Sequence, residues 1–443
     1  MSTAARRARE PAPAESGTVS GLTHEGEGVV HGGKTVFVAG ALPGEVIRFR
    51  RTRRRRQHDE GELLEVLSAS PERVTPGCPH FGTCGGCALQ HLDPGAQLLA
   101  KERELRETLA RVARVAPARW LAPLSGPVWG YRRRARLGAR YVHKKRKTVV
   151  GFRERAAPYV AQLSRCPVLA APAGELIGPL GELIDELSVR EQLPQIEVAV
   201  GEEATACVLR VLGEPSAEDL VRLRAFADRH GVRFYLQRSG LDSIRPLEEG
   251  GVPLTYRLER EQLTFEFEPT DFIQVNAAVN AALVARALEL LELTADAQVL
   301  DLFCGLGNFT LPLARHAAGV VAVEGEAGLI ARARANARRN GITNAEFHVA
   351  DLSADVSAAP WLRRPYTHVL LDPPRTGARE VLGALAAVAR ARVLYISCHP
   401  GSLARDLGLL VHEHGMTLEA AGVVDMFPHT THVESLALLS AAR

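Results

Sequence analysis

A regular alternation of short apolar runs and helix-length segments marks the last third of the chain. Apolar runs predict strands at 299–303, 319–323, 346–349, 368–371 and 393–396, with helical segments between them. Such alternation predicts a parallel sheet with right-handed crossover helices on both faces. Ligands of these folds bind beyond the carboxyl ends of the strands, so the residues that follow each apolar run are candidates for a functional site.

The N-terminal region has a different pattern, in which short apolar runs are separated by glycine-rich turns. Over residues 16–70 this pattern predicts a small all-β module of about five short strands. An OB-like barrel, a fold that often binds RNA, fits this size and spacing. An SH3-like barrel would give much the same pattern, so the choice between the two stays open.

The middle region is mixed and predicts an α+β arrangement. Strands are predicted at 137–141, 196–200, 207–211 and 233–237, and amphipathic helices at 175–186 and 217–230. An earlier helix is predicted over residues 97–115, where five apolar side chains can share one face: Leu98, Leu99, Leu105, Leu109 and Val112.

With 443 residues, the chain is long enough for two or three domains. No apolar run approaches the about 18 residues that a membrane-spanning helix needs, so no membrane partner is expected. Residues 1–15 contain arginine and proline but no apolar segment. They are therefore predicted to be a disordered tail rather than a secretion signal, and the protein is expected in the cytoplasm.

Basic residues are clustered, although the formal net charge is only +3. The clusters are Arg51 with 53–56, 132–134 with Arg136, and 143–147. One cluster alone would favour a solvated strand end or turn. Three clusters within the first 150 residues of a nearly neutral chain predict a basic face that binds a nucleic acid.

A glycine turn follows the first of the C-terminal apolar runs, in Val299-Leu-Asp-Leu-Phe-Cys-Gly-Leu-Gly-Asn308. Glycine lets the backbone pass close to a ligand. Glu324 ends the next predicted strand, where a carboxylate can accept hydrogen bonds from both hydroxyls of a ribose. Asp351 ends the third strand and could meet an adenine amine, although taken alone it also suits a helix N-cap. Thr310 stands where a dinucleotide-binding loop usually has its third glycine, which favours S-adenosylmethionine over NAD.

Two further polar segments follow predicted strands, Leu371-Asp-Pro-Pro-Arg375 and Tyr395-Ile-Ser-Cys-His-Pro400. Asp-Pro-Pro in this place resembles the base-binding loop of methyltransferases that act on exocyclic nitrogen, which need no thiol. Carbon 5 of uracil is too weak a nucleophile to accept a methyl group until a thiolate adds to C6. Cys398 is therefore predicted to be that nucleophile rather than a packing cysteine. Glu434 is the candidate base for the C5 proton, and Asp372 would hold the cofactor or the uracil edge.

The seven cysteines do not indicate a disulfide framework, because their number is odd and no secretion signal is predicted. Cys78, Cys84 and Cys87 lie close together, and Cys166 supplies a fourth thiol for a closed site. Spacing alone does not separate zinc from an iron–sulfur cluster, since both accept four thiolates. The remaining two, Cys207 and Cys304, lie within or beside apolar strands and are predicted to be core.

Together these segments resemble the bacterial RNA uracil-C5 methyltransferases of the RumA/RlmD type, which act on 23S ribosomal RNA. The resemblance covers about residues 21–440. Its most specific matches are Ser70-Pro-Glu-Arg-Val-Thr-Pro76, the segments 78–87, 301–310 and 371–375, and the residues around Cys398. It implies a class I Rossmann-like methyltransferase domain that binds S-adenosylmethionine (95–125 and 271–443). It also implies an N-terminal OB-like TRAM barrel (16–70) and an α+β central domain (71–94 and 126–270).

The resemblance also implies roles for individual residues. A [4Fe-4S] cluster in the central domain would be held by Cys78, Cys84, Cys87 and Cys166. The cofactor site would comprise Gln274 (in Phe272-Ile-Gln-Val-Asn276), Phe303, Asn308, Glu324, Asp351 and Asp372. Cys398 and Glu434 match the nucleophile and the base. His399 departs from the asparagine that the family often has after the nucleophile. The helix predicted at 97–115 would pack on the catalytic domain, and the enzyme would act on 23S rRNA as a monomer.

Other functions are weighed against this one. A non-catalytic RNA-binding or assembly factor with a vestigial methyltransferase domain would lack the nucleophile or the base, and both are present. An iron–sulfur redox protein would need a flavin or nicotinamide motif beside the cysteine-rich loop. Within the enzyme class, a tRNA or dual-site rRNA uracil-C5 methyltransferase is the alternative. The barrel and the four cysteines favour ribosomal RNA by analogy with the family.

Overall fold

The computed structural model describes residues 12–441, and its contacts divide the chain into two compact units. Within the described residues, the first unit comprises 12–82, 87–100 and 429–431, and the second comprises 83–86, 101–428 and 432–441. Most of the predicted tail, residues 1–11, lies outside the described residues. Its last two residues, Ala14 and Glu15, already belong to the first strand, so the ordered chain begins earlier than predicted.

The first unit contains the predicted all-β module as a closed barrel with the strand order β1-β2-β3-β5-β4. Val19, Val36, Ile47 and Phe49 alternate with outward-facing residues along their strands and fill the barrel. Closure leaves no free sheet edge. The five strands are β1 (Ala14–Leu22), β2 (Glu27–Val30), β3 (Val36–Ala39), β4 (Val46–Arg54) and β5 (Asp59–Ser68).

Helix α1 (Pro94–Thr108) continues into a π-helical turn, Leu109–Ala113. In the second unit its buried side recurs every four residues, at Lys101, Leu105, Leu109 and Ala113. The predicted apolar face was wrong at two positions, because Leu99 and Val112 are 58% and 55% exposed. A stripe spaced by four residues cannot also include these neighbours, since successive helical residues point about 100° apart. The turn contacts the last helix, where His412 Nε2 lies 2.9 Å from the carbonyl oxygen of Ala113.

A six-stranded sheet and two helices form the predicted α+β region in the second unit. The sheet order is β12-β11-β10-β9-β7-β8, and helices α2 and α3 contribute to the apolar core beside it. Cys207 is fully buried in this core, as predicted. The elements are β7 (Arg134–Val142), β8 (Lys147–Gly151), α2 (Ile177–Glu186), β9 (Gln195–Val200), β10 (Thr205–Arg210), α3 (Ala217–His230), β11 (Val232–Gln237) and β12 (Arg245–Pro246). A short strand, β6 (Arg119–Trp120), precedes them, and a hairpin of β13 (Leu254–Leu258) and β14 (Leu263–Phe267) follows.

The C-terminal region forms an eight-stranded sheet of order β17-β16-β15-β18-β19-β21-β20-β6. The five predicted strands are present and pair in parallel, which confirms the doubly wound arrangement. The last two strands were not predicted; β21 lies antiparallel between β19 and β20. The elements are α4 (Ala277–Leu291), β15 (Gln298–Leu302), α5 (Thr310–His316), β16 (Gly319–Glu324), α6 (Ala327–Arg339), β17 (Ala345–Val349), β18 (Tyr366–Leu371), α7 (Leu382–Val388), β19 (Ala389–Ser397), α8 (Pro400–His412), β20 (Thr417–Val424) and β21 (Glu434–Ser440). Among the described residues, no helix is long and apolar enough to cross a membrane.

Candidate active site

The predicted site residues of the C-terminal region meet at one edge of the eight-stranded sheet. Phe303 follows β15, Glu324 ends β16, Asp372 follows β18 and Cys398 follows β19. These strands are parallel, so their carboxyl ends lie together. Because β21 runs antiparallel to β19, its first residue, Glu434, lies at the same edge.

The glycine turn after β15 forms an open cradle. Gly305 and Gly307 have φ angles of 57° and 99°, in the region that glycine occupies most readily. A Cβ atom at Gly305 would meet no atom within 4 Å, so the backbone there faces open space. Phe303 also has a positive φ, 62°, which a bulky residue rarely adopts outside functional sites. Cys304 is buried, as predicted.

Thr310, the residue in place of a third glycine, has a structural partner. Its hydroxyl donates a hydrogen bond to the buried carboxyl group of Asp301 on β15, over 2.5 Å. Burial raises the pKa of Asp301 to about 7. The bond ties the start of α5 to β15, where a glycine would offer only close packing.

The carboxylate of Glu324 is held in place by backbone amides. The amide of Gly305 donates to its Oε2 over 3.1 Å, and the amides of Gly325 and Glu326 donate to its Oε1 over 2.6 Å and 3.1 Å. Asp351 is exposed and accepts from the amide and the hydroxyl of Ser353, as a capping residue does. Those bonds lower the pKa of Asp351. Asp351 therefore stays ionised at neutral pH.

Two amide side chains join the segments around the cradle. Gln274 Nε2 donates to Asp372 Oδ2 over 3.3 Å, which connects the 272–276 segment to the end of β18. Asn308 exchanges two hydrogen bonds with Asn280 of α4, over 2.9 Å and 3.0 Å. It also accepts from the hydroxyl of Tyr256 over 3.0 Å. These bonds fix Asn308 through residues that the sequence prediction did not include.

Cys398 and Glu434 come together through the antiparallel pairing of β19 with β21. Ser397 pairs with Ser435, so the residues just beyond that pair, Cys398 and Glu434, lie across from each other. Cys398 is partly exposed, whereas Glu434 is 6% exposed. Glu434 Oε2 is buried and has no hydrogen-bond partner in the described chain. An unsatisfied buried oxygen beside a thiol indicates a place for a ligand atom.

The electrostatics of this cluster favour protonated groups in the ligand-free protein. Burial raises the pKa of Cys398 to about 11, and the nearby Glu434 and Asp372 add to the rise while Arg375 opposes it. Burial also raises the pKa of Asp372 to about 7, against the hydrogen bond from Gln274. The pKa of Glu434 is raised well above its usual range by burial and by Asp372. Three acidic groups in one partly dry site cannot all ionise at low cost.

Lys101 and Asp425 belong to the same cluster and were missed by the sequence analysis. Lys101 Nζ lies 2.7 Å from Asp425 Oδ1 and donates to the carbonyl oxygen of Phe427 over 2.9 Å. Lys101 is 2% exposed, and its positive charge partly offsets the rise in the pKa of Glu434. One sequence feature pointed to it: a lysine in the apolar stripe of α1 that also contains Leu105 and Leu109.

His399, the departure from the family pattern, caps helix α8. Its Nδ1 accepts a hydrogen bond from the backbone amide of Ser402 over 3.1 Å. An asparagine oxygen satisfies a helix N-terminus in the same way. We expect His399→Ala to lower the free energy of unfolding by about 1 kcal/mol and His399→Asn to leave it nearly unchanged. Urea unfolding measures both; equal stability of the two variants would contradict the capping role.

The raised pKa of Cys398 predicts a pH dependence of its reactivity. Only the thiolate is alkylated, and below the pKa the thiolate fraction rises about tenfold per pH unit. The rate at which iodoacetamide modifies Cys398 should therefore rise about tenfold per pH unit from pH 7 towards pH 10. Arg375→Met should slow the reaction, because Arg375 is the positive charge that opposes the rise in pKa. Site-resolved mass spectrometry follows Cys398, with buried Cys207 as the unreactive control. A rate that levels off by pH 8 would contradict the raised pKa.

The predicted metal ligands do not form a ready-made site. Within residues 12–441, no group of three or more His, Cys, Asp or Glu side chains is arranged to hold a metal ion. Cys78, Cys84, Cys87 and Cys166 are each partly exposed. Cys84 and Cys166 both pack against the apolar core of the α+β region, and the amide of Gly86 lies 3.4 Å from the sulfur of Cys84.

The fold and the site together define the class of protein, an S-adenosylmethionine-dependent methyltransferase. Its features are a doubly wound sheet, a glycine cradle with a fixed acid at the end of the second strand, and polar residues at the carboxyl edge. Comparisons with known proteins agree. A family model described as tRNA (Uracil-5-)-methyltransferase matches residues 238–442. The crystal structure of Pyrococcus abyssi tRNA (uracil-54, C5)-methyltransferase in complex with S-adenosyl-L-homocysteine aligns with a TM-score of 0.76. It is 25% identical and covers 96% of this chain and 99% of that one.

Curated relatives are more similar still. The 23S rRNA (uracil(1939)-C(5))-methyltransferase RlmD of Stenotrophomonas maltophilia (strain K279a) is 52% identical over 421 residues, 94% of this chain and 95% of the relative. RlmD of Methylococcus capsulatus is 50% identical over 437 residues, 98% of this chain and 99% of the relative. The chain belongs to the RlmD family of RNA uracil-C5 methyltransferases.

Proposed function

We propose that this enzyme transfers the methyl group of S-adenosylmethionine to C5 of a uridine in 23S rRNA, the uridine named in the relatives being 1939. Cys398 acts as covalent nucleophile and Glu434 as base. The observation that carries the proposal is the pairing of β19 with β21, which sets a thiol opposite a buried carboxyl group. A thiol alone at this edge could be a packing residue, but a thiol with an acid–base partner fits addition to a pyrimidine ring.

S-adenosylmethionine supplies a methyl group on a positively charged sulfonium. The residues placed to hold it are those around the cradle: Gln274, Phe303, Asn308, Glu324, Asp351 and Asp372. The fixed carboxylate of Glu324 suits the ribose hydroxyls. Asp372 suits the end near the sulfonium, because a partly buried carboxyl group that gains a cationic neighbour becomes easier to ionise.

The chain's residues then act in sequence on the uracil ring. The Cys398 thiolate forms a bond to C6, and the electron pair of the C5–C6 double bond makes C5 an enolate-like carbon. C5 takes the methyl group as the bond from that group to the sulfonium sulfur breaks, with the electron pair left on the sulfur, and C5 then carries both hydrogen and methyl. Glu434, ionised at this point, removes the C5 hydrogen as a proton, the double bond re-forms, and the C6–sulfur bond breaks to release the Cys398 thiolate. The charges of the Lys101–Asp425 pair act on Glu434 in opposite directions: Lys101 lowers its pKa and Asp425 raises it.

Transfer of a labelled methyl group tests the substrate. The purified protein is incubated with labelled S-adenosylmethionine and, separately, with naked 23S rRNA and unmodified tRNA, and 5-methyluridine is mapped by nuclease digestion and mass spectrometry. We expect one labelled uridine in 23S rRNA and none in tRNA. Label in tRNA alone would replace the ribosomal substrate with the alternative, label at two rRNA sites would make the enzyme dual-site, and label at C5 of no uridine would contradict the proposed function.

We further propose that Cys78, Cys84, Cys87 and Cys166 bind a [4Fe-4S] cluster in an α+β central domain (71–94 and 126–270). Support comes from the number and spacing of the thiols and from their partial exposure. Metal sites of this kind often form only as the metal binds. The anaerobically purified protein should be brown and contain about four iron and four sulfide per chain. Cys166→Ala should lose the colour and Cys207→Ala should keep it; a colourless, zinc-loaded protein would reject the cluster.

The remaining organisation is proposed on the family pattern. The barrel (16–70) is proposed to be a TRAM domain that contacts RNA, and residues 95–125 with 271–443 to form the methyltransferase domain. The barrel contributes fewer uncompensated positive charges than the sequence indicated, because Arg51 is bonded to Glu15 and Asp59. We also propose that the enzyme works as a monomer in the cytoplasm. Light scattering at micromolar concentration tests the first point, and a mass of two chains would contradict it.

A further inference from the structure

A large groove opens beside β7, β8 and a hairpin at residues 152–161, away from the catalytic cluster. Its volume is about 1460 Å³, and its lining includes Arg136, Arg140, Arg153, Arg155, Tyr141 and Tyr159. All of its lining residues belong to the second unit. The second and third basic clusters of the sequence both contribute to it. Clusters that are separate along the chain therefore form one surface.

The charge of this groove is strongly one-sided. Its lining contains five lysine and arginine residues and a single carboxylate, Glu154. Arg136 is paired with Glu197 over 2.9 Å. Across the described part of the chain, Arg140, Arg153 and Arg155 form no ion pair, so their charges are available to a ligand. Uncompensated cations along a groove indicate a polyanionic partner.

An exposed aromatic ring stands at the end of the hairpin. Tyr159 is 68% exposed, and its carbonyl oxygen accepts from the amide of Glu154 over 2.9 Å. The 83–86 loop braces the hairpin: the amide of Gly85 donates to Arg153 and that of Arg155 donates to Thr83, over 2.8 Å and 2.9 Å. An exposed ring by itself is ordinary. A ring on a braced hairpin in a basic groove is a stacking platform for a base.

The groove is connected to the candidate active site by strand β7. The amide of Arg133, just before this strand, donates to the carbonyl oxygen of Val275 over 2.9 Å, next to Gln274. At about 3.3 Å per residue, Arg136 lies about 10 Å and Arg140 about 23 Å further along the strand. One end of the groove therefore lies about 10 Å along β7 from the residue bonded to the 272–276 segment, which contains Gln274.

We propose that this groove binds a single-stranded segment of RNA that flanks the methylated uridine. Phosphates contact Arg140, Arg153 and Arg155, and one base stacks on Tyr159. The identity of the RNA as 23S rRNA rests on the proposed function. The preference of the groove for single-stranded RNA as a class of ligand does not. An acidic peptide would satisfy the cations and leave the ring without a flat partner, so the observations favour RNA.

The test uses the full-length protein and a fluorescein-labelled single-stranded RNA of about 12 nucleotides around uridine 1939, a length in the range of such sites. Anisotropy gives the Kd at several salt concentrations. Tyr159→Ala and Arg140→Glu should each weaken binding about tenfold, and Arg140→Glu should reduce the slope of log Kd against log salt by about 0.7 or more. Tyr159→Phe keeps a ring and should bind as the wild type does. Arg229→Glu is the charge control, on α3 outside the groove lining.

Methyl transfer provides a second readout. For Tyr159→Ala and Arg140→Glu, the KM for RNA should rise while kcat stays unchanged, because the groove binds RNA away from the reacting atoms. Cofactor binding reports folding, and Tyr159→Leu replaces Tyr159→Ala if the alanine variant fails it. Failure of the wild type to methylate any RNA would contradict the proposed function. It would leave the groove proposal testable, because anisotropy measures RNA binding without methyl transfer.

Two results would overturn the groove proposal. The first is wild-type RNA affinity in both Tyr159→Ala and Arg140→Glu. The second is displacement of the labelled RNA by poly-glutamate of equal length more readily than by unlabelled RNA, which would make the groove a site for an acidic protein. Weaker competition by poly-glutamate together with a loss of affinity in both variants would support RNA.

Discussion

Replacement of Cys398 by alanine is expected to lower the rate of methyl transfer by about 10⁴-fold or more. Without a sulfur to add at C6, C5 of uracil stays a poor nucleophile, and no other thiol of the described chain lies opposite Glu434 at this edge. Cofactor binding should be unchanged, because the glycine cradle follows β15 whereas Cys398 follows β19, two strands away in the sheet. The measurements are single-turnover rates with labelled S-adenosylmethionine and calorimetry of cofactor binding.

Cys207→Ala is the matched control for the loss of a thiol. Its side chain is fully buried in the α+β core, and burial raises the pKa of Cys207 to about 12, so it is inert. This variant should retain the wild-type rate. A Cys398→Ala enzyme that still methylates RNA would remove the covalent mechanism, and equal losses in both variants would point to a folding defect instead.

Replacement of Glu434 by glutamine is expected to slow turnover by about 10²- to 10⁴-fold and to trap a covalent complex with RNA. Glutamine keeps the shape of the side chain but cannot take up the C5 proton, so the reaction stops after methylation with Cys398 still bonded to C6. Denaturing gel electrophoresis with labelled RNA should show a protein–RNA band that persists through heating without reductant.

The double variant Cys398→Ala with Glu434→Gln is the control for that band and should show none. A Glu434→Gln enzyme that turns over at the wild-type rate would assign the proton to another base. A slow Glu434→Gln enzyme without a trapped band would mean that Glu434 acts in a step before the bond to C6 forms, for example in the ionisation of the thiol.

The cofactor side of the site follows from local sequence. Each of its acids comes directly after an apolar run, and in a parallel sheet the ends of such runs necessarily share one edge. The places of the cradle and of Glu324 therefore follow from the strands at 298–302 and 319–324 alone, without any tertiary contact. The positive φ angles of Gly305 and Gly307 are also expected from residue type, because glycine adopts such angles readily.

The acid–base side does not follow from local sequence. Glu434 was named because the reaction needs a base, and the family resemblance supported that choice. Lys101 and Asp425, the ion pair whose charges act on Glu434, are separated by 324 residues along the chain. The unpredicted strand β21 lies antiparallel between β19 and β20, and that placement brings Glu434 to Cys398. A strand order is chosen by the packing of the whole sheet, so no window of neighbouring residues encodes it.

The basic clusters show the same division. By itself the sequence determined which residues carry charge, which runs form the five parallel strands, and which polar residues follow those strands at one edge of the sheet, because these depend on residue type and on periodicity. Only the tertiary structure decided that Arg51 is neutralised by Glu15 and Asp59, whereas Arg140 and Arg153 face a common groove. The reason is physical: the effect of a charge depends on its distance from other charges, and that distance is set by how the whole chain packs.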